Sequence, residues 1–396
     1  MELYIHYPFC VRKCNYCDFL SAPAAPVQRA LYVQALIHEL CFMSPEYKNK
    51  KIDTLFIGGG TPSLMEGEEL LVLMDAVRTC FTLEDGCEIT IEGNPGTINE
   101  KKARDMAAAG INRLSLGLQS ADEKELKLLG RIHTWEDFEN SFMAARQAGI
   151  HNINVDLMSA LPGQTEASWE NTLARVLQKR PEHISAYSLI IEEGTPFYKI
   201  YTESGEKRGE SAWPDLPGED EDRKMYARTG RILEQAGYGR YEISNYARPG
   251  FECRHNIGYW QRRDYLGVGL GASSLINGRR FDNTRNMEEY LQTFSASVPQ
   301  IRDTDAESFD ICHKNIEVLT REDAMAEFMF LGLRLIRGVN DQEFIRAFGT
   351  SFMDVYREPI QKHCREGLLC YIEENGKLSL TEQGIDVSNY VLCDFL

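Results

Sequence analysis

The chain has 396 residues, 43% apolar and 26% charged, which fits an ordinary globular protein with one large core and a smaller one. Its net charge of −17 argues against nucleic acid as a partner, because phosphates demand a basic surface. No apolar run reaches the roughly 18 residues of a membrane span. The first strand-like run begins almost at residue 1, leaving no space for a signal peptide, so a cytoplasmic location is expected.

That first run, residues 3–5, leads through Pro8 into a loop holding Cys10, Cys14 and Cys17 in C-x3-C-x2-C spacing. Thiolates are soft ligands suited to iron–sulfur clusters or zinc, and ordinary sites of both kinds close with four ligands. Only three are clustered here. A cubane on three thiolates keeps one iron open to an exogenous ligand, which suggests an iron that does chemistry. Zinc completed by His6 or a remote cysteine is the alternative, as are buried free thiols. The other scattered cysteines, Cys41, Cys80, Cys87, Cys312, Cys364, Cys370 and Cys393, read as free and mostly buried. Eleven cysteines in an intracellular chain do not suggest a disulfide framework.

Strand and helix then alternate. Strands are predicted over residues 54–57, 88–91, 113–116, 152–157 and 183–190, and helices over 29–41, 68–80, 100–108, 134–148 and 166–178. Asn99 is placed to cap a helix, and Gly110 and Gly149 to end two others. Six strands alternating with helices predict a parallel α/β sheet, open or curled into a partial barrel. Residues 203–222 read as a polar surface excursion, followed by a helix over 223–235 and a strand-like segment over 241–244. A loop rich in Arg, His and Trp and a glycine-rich strand over 265–272 come next. Residues 298–320 read as a linker. From residue 322 the pattern is helical, then two short strands flank Asn375-Gly376, a hairpin signal. This suggests a winged-helix-like unit. With 13 acidic and 7 basic residues over 322–396 it reads as a packing or partner unit, not a DNA binder.

In parallel α/β folds chemistry gathers at the carboxyl ends of the strands. Those ends are the cysteine loop, Gly58-Gly59-Gly60-Thr61-Pro62, Glu92-Gly93-Asn94-Pro95, Gly117-Leu118-Gln119-Ser120, Asp156-Leu157-Met158 and Glu192-Glu193-Gly194-Thr195. Each carries glycine or an uncharacteristic polar group, so they point to one site.

Together these segments carry a family resemblance. Cys10, Cys14 and Cys17 resemble the signature of radical S-adenosylmethionine proteins. The run from Tyr4 to Cys10, Gly58 to Ser63, Glu92 to Gly96, Leu114 to Ser120 and Asp156 to Thr165 are similar to one branch, the anaerobic coproporphyrinogen-III oxidase family, which includes haem chaperones. The resemblance implies an α/β fold: a partial (β/α)6 radical-SAM barrel with a small C-terminal winged-helix-like α+β domain. It implies a cluster-bearing barrel over residues 1–200, an extension over 201–300, and a C-terminal domain over 321–396. It further implies a 4Fe–4S cluster on the three cysteines, with S-adenosylmethionine on the open iron. Gly59, Gly60 and Thr61 would meet its methionine part, Glu92 its amino group or ribose hydroxyls, and Tyr4 and Tyr16 would line the pocket. Gln119, Arg131 and Asp156 match positions facing the substrate side or a second S-adenosylmethionine.

Three features favour the haem-chaperone branch over the decarboxylating oxidases. Nine residues precede Cys10, where the oxidases look longer, and Phe19 fills the place of their fourth cysteine. His255-Asn256-Ile257-Gly258-Tyr259-Trp260 is similar to the branch's His-Asn-x-x-Tyr-Trp motif. A neutral imidazole suits haem iron and aromatics suit a porphyrin face, so His255 is expected to touch haem. Arg248, Arg254, Arg262 and Arg263 would serve its propionates. Ser273 departs from the histidine expected after Ala272 in many relatives. The implied partners are haem or porphyrin, haem-accepting proteins and an electron donor for the cluster. A porphyrinogen-decarboxylating oxidase and a binding protein with a structural cluster are the alternatives.

Overall fold

The computed structural model describes residues 1–203, 213–295 and 313–396. Its first strand, β1 (Glu2–Tyr7), shows how the rest is built. Leu3, Ile5 and Tyr7 are fully buried against α1 (Pro26–Met43), whereas Glu2, Tyr4 and His6 face the other side of the sheet. Period-two alternation thus separates an apolar outer face, covered by helices, from a polar inner face. The pattern repeats in β2 (Lys51–Gly59), β3 (Thr82–Gly93), β4 (Arg113–Gln119), β5 (Asn152–Ser159) and β6 (His183–Ser188), which pair in parallel in that order. The helices α2 (Gly67–Cys80), α3 (Glu100–Ala108), α4 (Glu123–Leu128), α5 (Trp135–Gln147) and α6 (Glu166–Lys179) make the crossovers. Their boundary signals act as read: the Asn99 side chain accepts from the Lys102 amide at 2.9 Å, and Gly110 and Gly149 take φ of 90° and 92° after α3 and α5.

This is the expected α/β arrangement, and four parts of the reading need correction. The run over 265–272 is shorter, β9 (Tyr265–Val268), and it adds a seventh parallel strand beside β1. The Gly267 backbone explains it, since a Cβ there would meet the Ser273 carbonyl oxygen at 2.2 Å as the chain doubles back. That return forms β10 (Ser273–Ile276) and β11 (Arg279–Asn283), a hairpin whose two-residue Asn277-Gly278 turn has positive φ at both positions. The linker over 298–320 holds β12 (His313–Val318), antiparallel to β11; residues 298–312 lie outside the described residues. Residues 241–244 are the turn between two short strands, β7 (Gly239–Arg240) and β8 (Asn245–Ala247). Part of the excursion over 203–222 also lies outside the described residues, and the helix after it begins earlier, at Glu219. The sheet reads β12-β11-β10-β9-β1-β2-β3-β4-β5-β6-β8-β7.

The C-terminal unit has its own core around Met329, Phe344, Phe352, Leu378 and Phe395. Helix Arg321–Gly332, β13 (Val339–Asn340), helices Asp341–Phe348 and Arg357–Arg365, then the hairpin β14 (Leu369–Ile372) and β15 (Lys377–Leu380) give sheet order β13-β15-β14. That is the winged-helix-like arrangement expected. Glu327 fastens the unit to the barrel by accepting from Arg262 and Arg280, each at 2.6 Å.

The scattered cysteines are less buried than expected: Cys87 is buried, Cys80 and Cys364 are half-buried, and Cys41, Cys370 and Cys393 are exposed. They sit at helix ends and on an edge strand, where one small side chain costs little to expose. Cys312 lies outside the described residues. Among the described residues no helix is long and apolar enough to cross a membrane.

One buried acid holds α1 to the β9–β11 edge. Glu39 accepts from Tyr290 Oη at 2.5 Å, Gly269 N at 2.8 Å and Asn283 Nδ2 at 2.5 Å. Glu39→Ala removes the carboxylate that three buried donors share and should cost about 3–5 kcal/mol. The check is a lower urea midpoint at unchanged slope. Burial lifts this carboxyl to about 7. The unfolded chain therefore gives up the proton first, and the parent's stability should fall as pH rises from 4.5 to about 7. The Ala variant should lose that slope.

Candidate functional site

The cysteine loop leaves β1 at the carboxyl edge of the sheet and is stitched down along its length. Cys10 N donates to Ala22 O at 3.2 Å and Ala22 N to Pro8 O at 2.9 Å. Asn15 fastens the middle, its backbone N donating to Leu129 O at 2.9 Å and its amide to Leu128 O at 2.8 Å. His6 closes the far end through Nε2 and Leu20 O, 2.9 Å apart, and its Nδ1 lies 2.9 Å from Tyr4 Oη. With both nitrogens engaged, His6 acts as a loop anchor, not as a fourth metal ligand.

The second strand end meets this loop backbone to backbone. Gly60 N donates to Tyr7 O and Thr61 N to Phe9 O, both at 2.8 Å. A Cβ on Gly60 would stand 2.7 Å from Phe9 O, so only glycine fits. Gly59, at φ 115°, donates its N–H to Glu92 Oε2 at 3.0 Å. Burial, and then the nearby Asp156 charge, lift the Glu92 carboxyl to about 8.

Two donors point at the sulfurs: Thr61 Oγ1 at 3.4 Å from Cys10 Sγ, and Arg131 Nη1 at 3.6 Å from Cys14 Sγ. Asn94 links them, accepting from Arg131 at 2.8 Å and donating to Thr61 Oγ1 at 3.0 Å. Asn94 was legible only as part of a polar strand end; nothing in its spacing marked it as the bridge. Burial pushes the Cys17 thiol up to about 11, so iron uptake there must displace a proton. Tyr16 packs against the small apolar cluster around Leu129, Met158, Leu161 and Phe197. Deeper on the inner face, Asp156 accepts from Ser115 at 3.0 Å and Asn154 at 2.8 Å, and Gln119 accepts from Tyr187 at 3.1 Å.

The three thiols fit an iron–sulfur cluster. They are soft, partly exposed, confined to one loop and met by hydrogen-bond donors. Among the described residues no three His, Cys, Asp or Glu side chains converge as ligands of a single ion. A cubane presents its irons at separate corners, so its thiolates stand farther apart than ligands of one metal.

Residues 4–176 match the radical SAM superfamily and residues 319–387 the HemN C-terminal domain. The chain is 35% identical over 393 residues to heme chaperone HemW of Lactococcus lactis, covering 99% of this chain and 96% of that one. The chain belongs to the HemW family. HemW of Escherichia coli is also 35% identical, with 96% of each chain covered. Coproporphyrinogen III oxidase (HemN) from Escherichia coli, at 23% identity, shares the fold with a TM-score of 0.82 over all of this chain and 89% of that one.

Most of the residues singled out in this HemW-family chain lie toward the cysteine end: Tyr16, Gly59, Gly60, Thr61, Glu92, Gln119, Arg131 and Asp156, with Tyr4 lower on the inner face beside Phe56. His255 does not. It lies at the opposite end of the barrel, on the helix Arg254–Trp260, and is 1% exposed. Its Nδ1 is 2.7 Å from Thr54 Oγ1, its Nε2 2.9 Å from Tyr259 Oη, and its ring stacks on Phe56 with centroids 5.1 Å apart. Glu88 caps the helix start, accepting from the Arg254 and His255 amides at 3.2 Å each. In this structure the histidine plugs that end of the barrel, with both ring nitrogens engaged. The four arginines expected to serve haem propionates have partners within the chain. Arg254 donates to Gly86 O and Asp53 O, Arg262 to Glu327, Arg263 pairs with Asp53, and Arg248 lies over the Tyr238 ring.

Burial, and then Arg113, push His255 down to about 3. The unfolded imidazole takes up its proton near 6.5 and the folded one only near 3, so the stability it contributes is full above 6.5 and is lost as pH falls toward 3. His255→Gln should remove that part of the acid sensitivity and cost about 1–3 kcal/mol at neutral pH. Denaturant titrations across this pH range, with iron–sulfur content unchanged, would check it.

Proposed function

We propose that this protein holds a 4Fe–4S cluster on Cys10, Cys14 and Cys17, binds S-adenosylmethionine beside it, and carries haem to acceptor proteins. The observation that carries the reading is similarity over nearly the whole chain to proteins named heme chaperone. The donor set supports the cofactors: three soft thiols, an open fourth position, and glycines that let backbone approach a ligand closely. When bound, such a cluster supplies an electron to the sulfonium of S-adenosylmethionine.

The chain's own residues hold and aim. Arg131 and Thr61 offer charge-assisted and hydroxyl donors to Cys14 and Cys10, which stabilises negative charge on sulfur. The Gly59 N–H is spent on Glu92, so its task is to aim that carboxylate at the ligand's amino group or ribose hydroxyls. Gly60 and Thr61 face the methionine part, Tyr4 and Tyr16 line the pocket, and Gln119 and Asp156 lie toward the substrate side. Acceptor proteins and an electron donor for the cluster are the partners, and the setting is cytoplasmic.

Replacing Cys10, Cys14 or Cys17 with Ala should each abolish the cluster's visible absorption and iron content. Cys253→Ala, at the far end beside Glu88, should retain both.

Because Glu92 is lifted to about 8, affinity for S-adenosylmethionine should rise as pH climbs from about 7 to about 9, as the carboxylate forms. Glu92→Gln should flatten that rise and cost about 1.5–3 kcal/mol at the alkaline end. Anaerobic calorimetry reads both, and an unchanged profile would refute the role.

For the function itself, the reconstituted protein should transfer haem to a haem-free acceptor, followed by absorbance, and should not convert coproporphyrinogen over many cycles. Phe19 in place of a fourth cysteine is the sequence feature behind the second half. Sustained decarboxylation would make the protein an oxidase instead.

A further inference from the structure

On the inner face of β1, β9 and β10, beneath the helix Arg321–Gly332, lies a cleft of about 350 Å³. Tyr4, His6, Tyr259, Tyr265, Leu275 and Leu331 are among its walls. A second hollow, of about 390 Å³, shares Gly271 and Ser273 with it and carries Arg285 and Lys314. Each is within the range of small-molecule sites, roughly 300–1,000 Å³. Sharing those two residues, the hollows adjoin, and we read them together as a trough that suits a flat ligand.

We propose that this trough is the haem site, with the macrocycle against Tyr259 and Tyr265 and a propionate on Arg285. The inference rests on the haem-carrying reading above and places its ligand.

The lining supplies what an amphipathic aromatic dicarboxylate needs. Tyr259 and Tyr265 meet edge to face with centroids 4.7 Å apart, and Leu275 and Leu331 add apolar cover. The nearby cations differ in availability. Arg262 and Arg280 are both held by Glu327, and Lys314 by Glu289 at 2.7 Å. Arg285 makes no hydrogen bond or ion pair among the described residues, so its guanidinium is free to take a carboxylate in bidentate fashion. The one carboxylate in the second hollow, Asp282, is already occupied by Ser273 at 2.5 Å and Asn315 at 3.1 Å. The buried His255 reaches this wall only through its bond to Tyr259 Oη. The motif therefore presents its tyrosine to the trough and keeps its histidine behind it.

The test titrates the full-length, cluster-reconstituted protein with iron(III) protoporphyrin IX and with its dimethyl ester, read by the Soret band. Ser273 is exposed and shared by both hollows, so Ser273→Trp should block the trough without disturbing the core. Ser273→Trp and Arg285→Glu should each weaken binding of the free acid about tenfold or more. The parent should bind the ester more weakly than the acid, and Arg285→Glu should no longer distinguish them. Unchanged iron–sulfur content and circular dichroism establish that the variants fold. A parent that binds no haem overturns the chaperone reading itself. A parent that binds while either variant matches it overturns the trough alone.

Discussion

The approach of Gly60 to Phe9 is the constraint on which the cysteine end depends. Two backbone hydrogen bonds join the end of β2 to the loop after β1, and a single methyl group between them would sit 2.7 Å from a carbonyl oxygen. Because β1 and β2 are parallel neighbours, their carboxyl ends emerge side by side, and this contact converts adjacency into a fixed loop position. Asn15 and His6 then secure the loop from two other directions, one to the end of α4 and one to β1. A loop rich in thiols gains little from a hydrophobic core of its own, so hydrogen bonds to rigid elements must set its geometry.

The two ends of the barrel use buried polar groups differently. At the cysteine end the groups are half-buried, glycine-backed and hydrogen-bonded to partners that leave one side open. At the other end Glu2, Glu88, Cys253 and His255 are buried together under the plug helix. Burial raises Glu2 to about 8 and lowers His255 to about 3, so the pair, 4.0 Å apart, is neutral near pH 7. Neutralising a buried pair costs less than desolvating two charges. That end is built to close the barrel, and the cysteine end to admit something.

Period and spacing explain how much of this was legible. Alternation of apolar strands with capped helices marks β1 to β6 and their crossovers, and the polar residues at strand ends mark the cysteine end of the sheet. What local pattern could not show is register across the sheet. β9 is read as a strand running to residue 272, but the chain reverses at Gly269 and Gly271, both at positive φ, so only residues 265–268 lie parallel beside β1. The hairpin of β10 and β11 escaped because Arg279, Arg280 and Asp282 break the apolar alternation, Arg280 and Asp282 being on the face that meets Glu327 and Asn315. Arg285, beyond that hairpin, carried no signal for the same reason. The burial of His255 was not legible because a histidine among aromatics and arginines has the same composition whether it lines a pocket or plugs a barrel. Only the hydrogen bonds to Thr54 and Tyr259 distinguish the two.

Asn94 shows why the cysteine end behaves as one unit. Its amide has one acceptor and one donor group, and each is committed: Oδ1 to Arg131, Nδ2 to Thr61. Those two partners are the groups that donate to Cys14 and Cys10. The strand end of β3 therefore sets the orientation of donors that come from β2 and from the segment after α4. A shift of Arg131 toward one sulfur pulls on the same amide that orients the hydroxyl at the other. Since hydrogen-bonded chains in a poorly solvated site polarise one another, charge at one thiolate is felt at the second through three side chains. The Asn that follows Glu92-Gly93 thus has a reason independent of any turn: no hydrophobic or charged residue could both accept from a guanidinium and donate to a hydroxyl at that point.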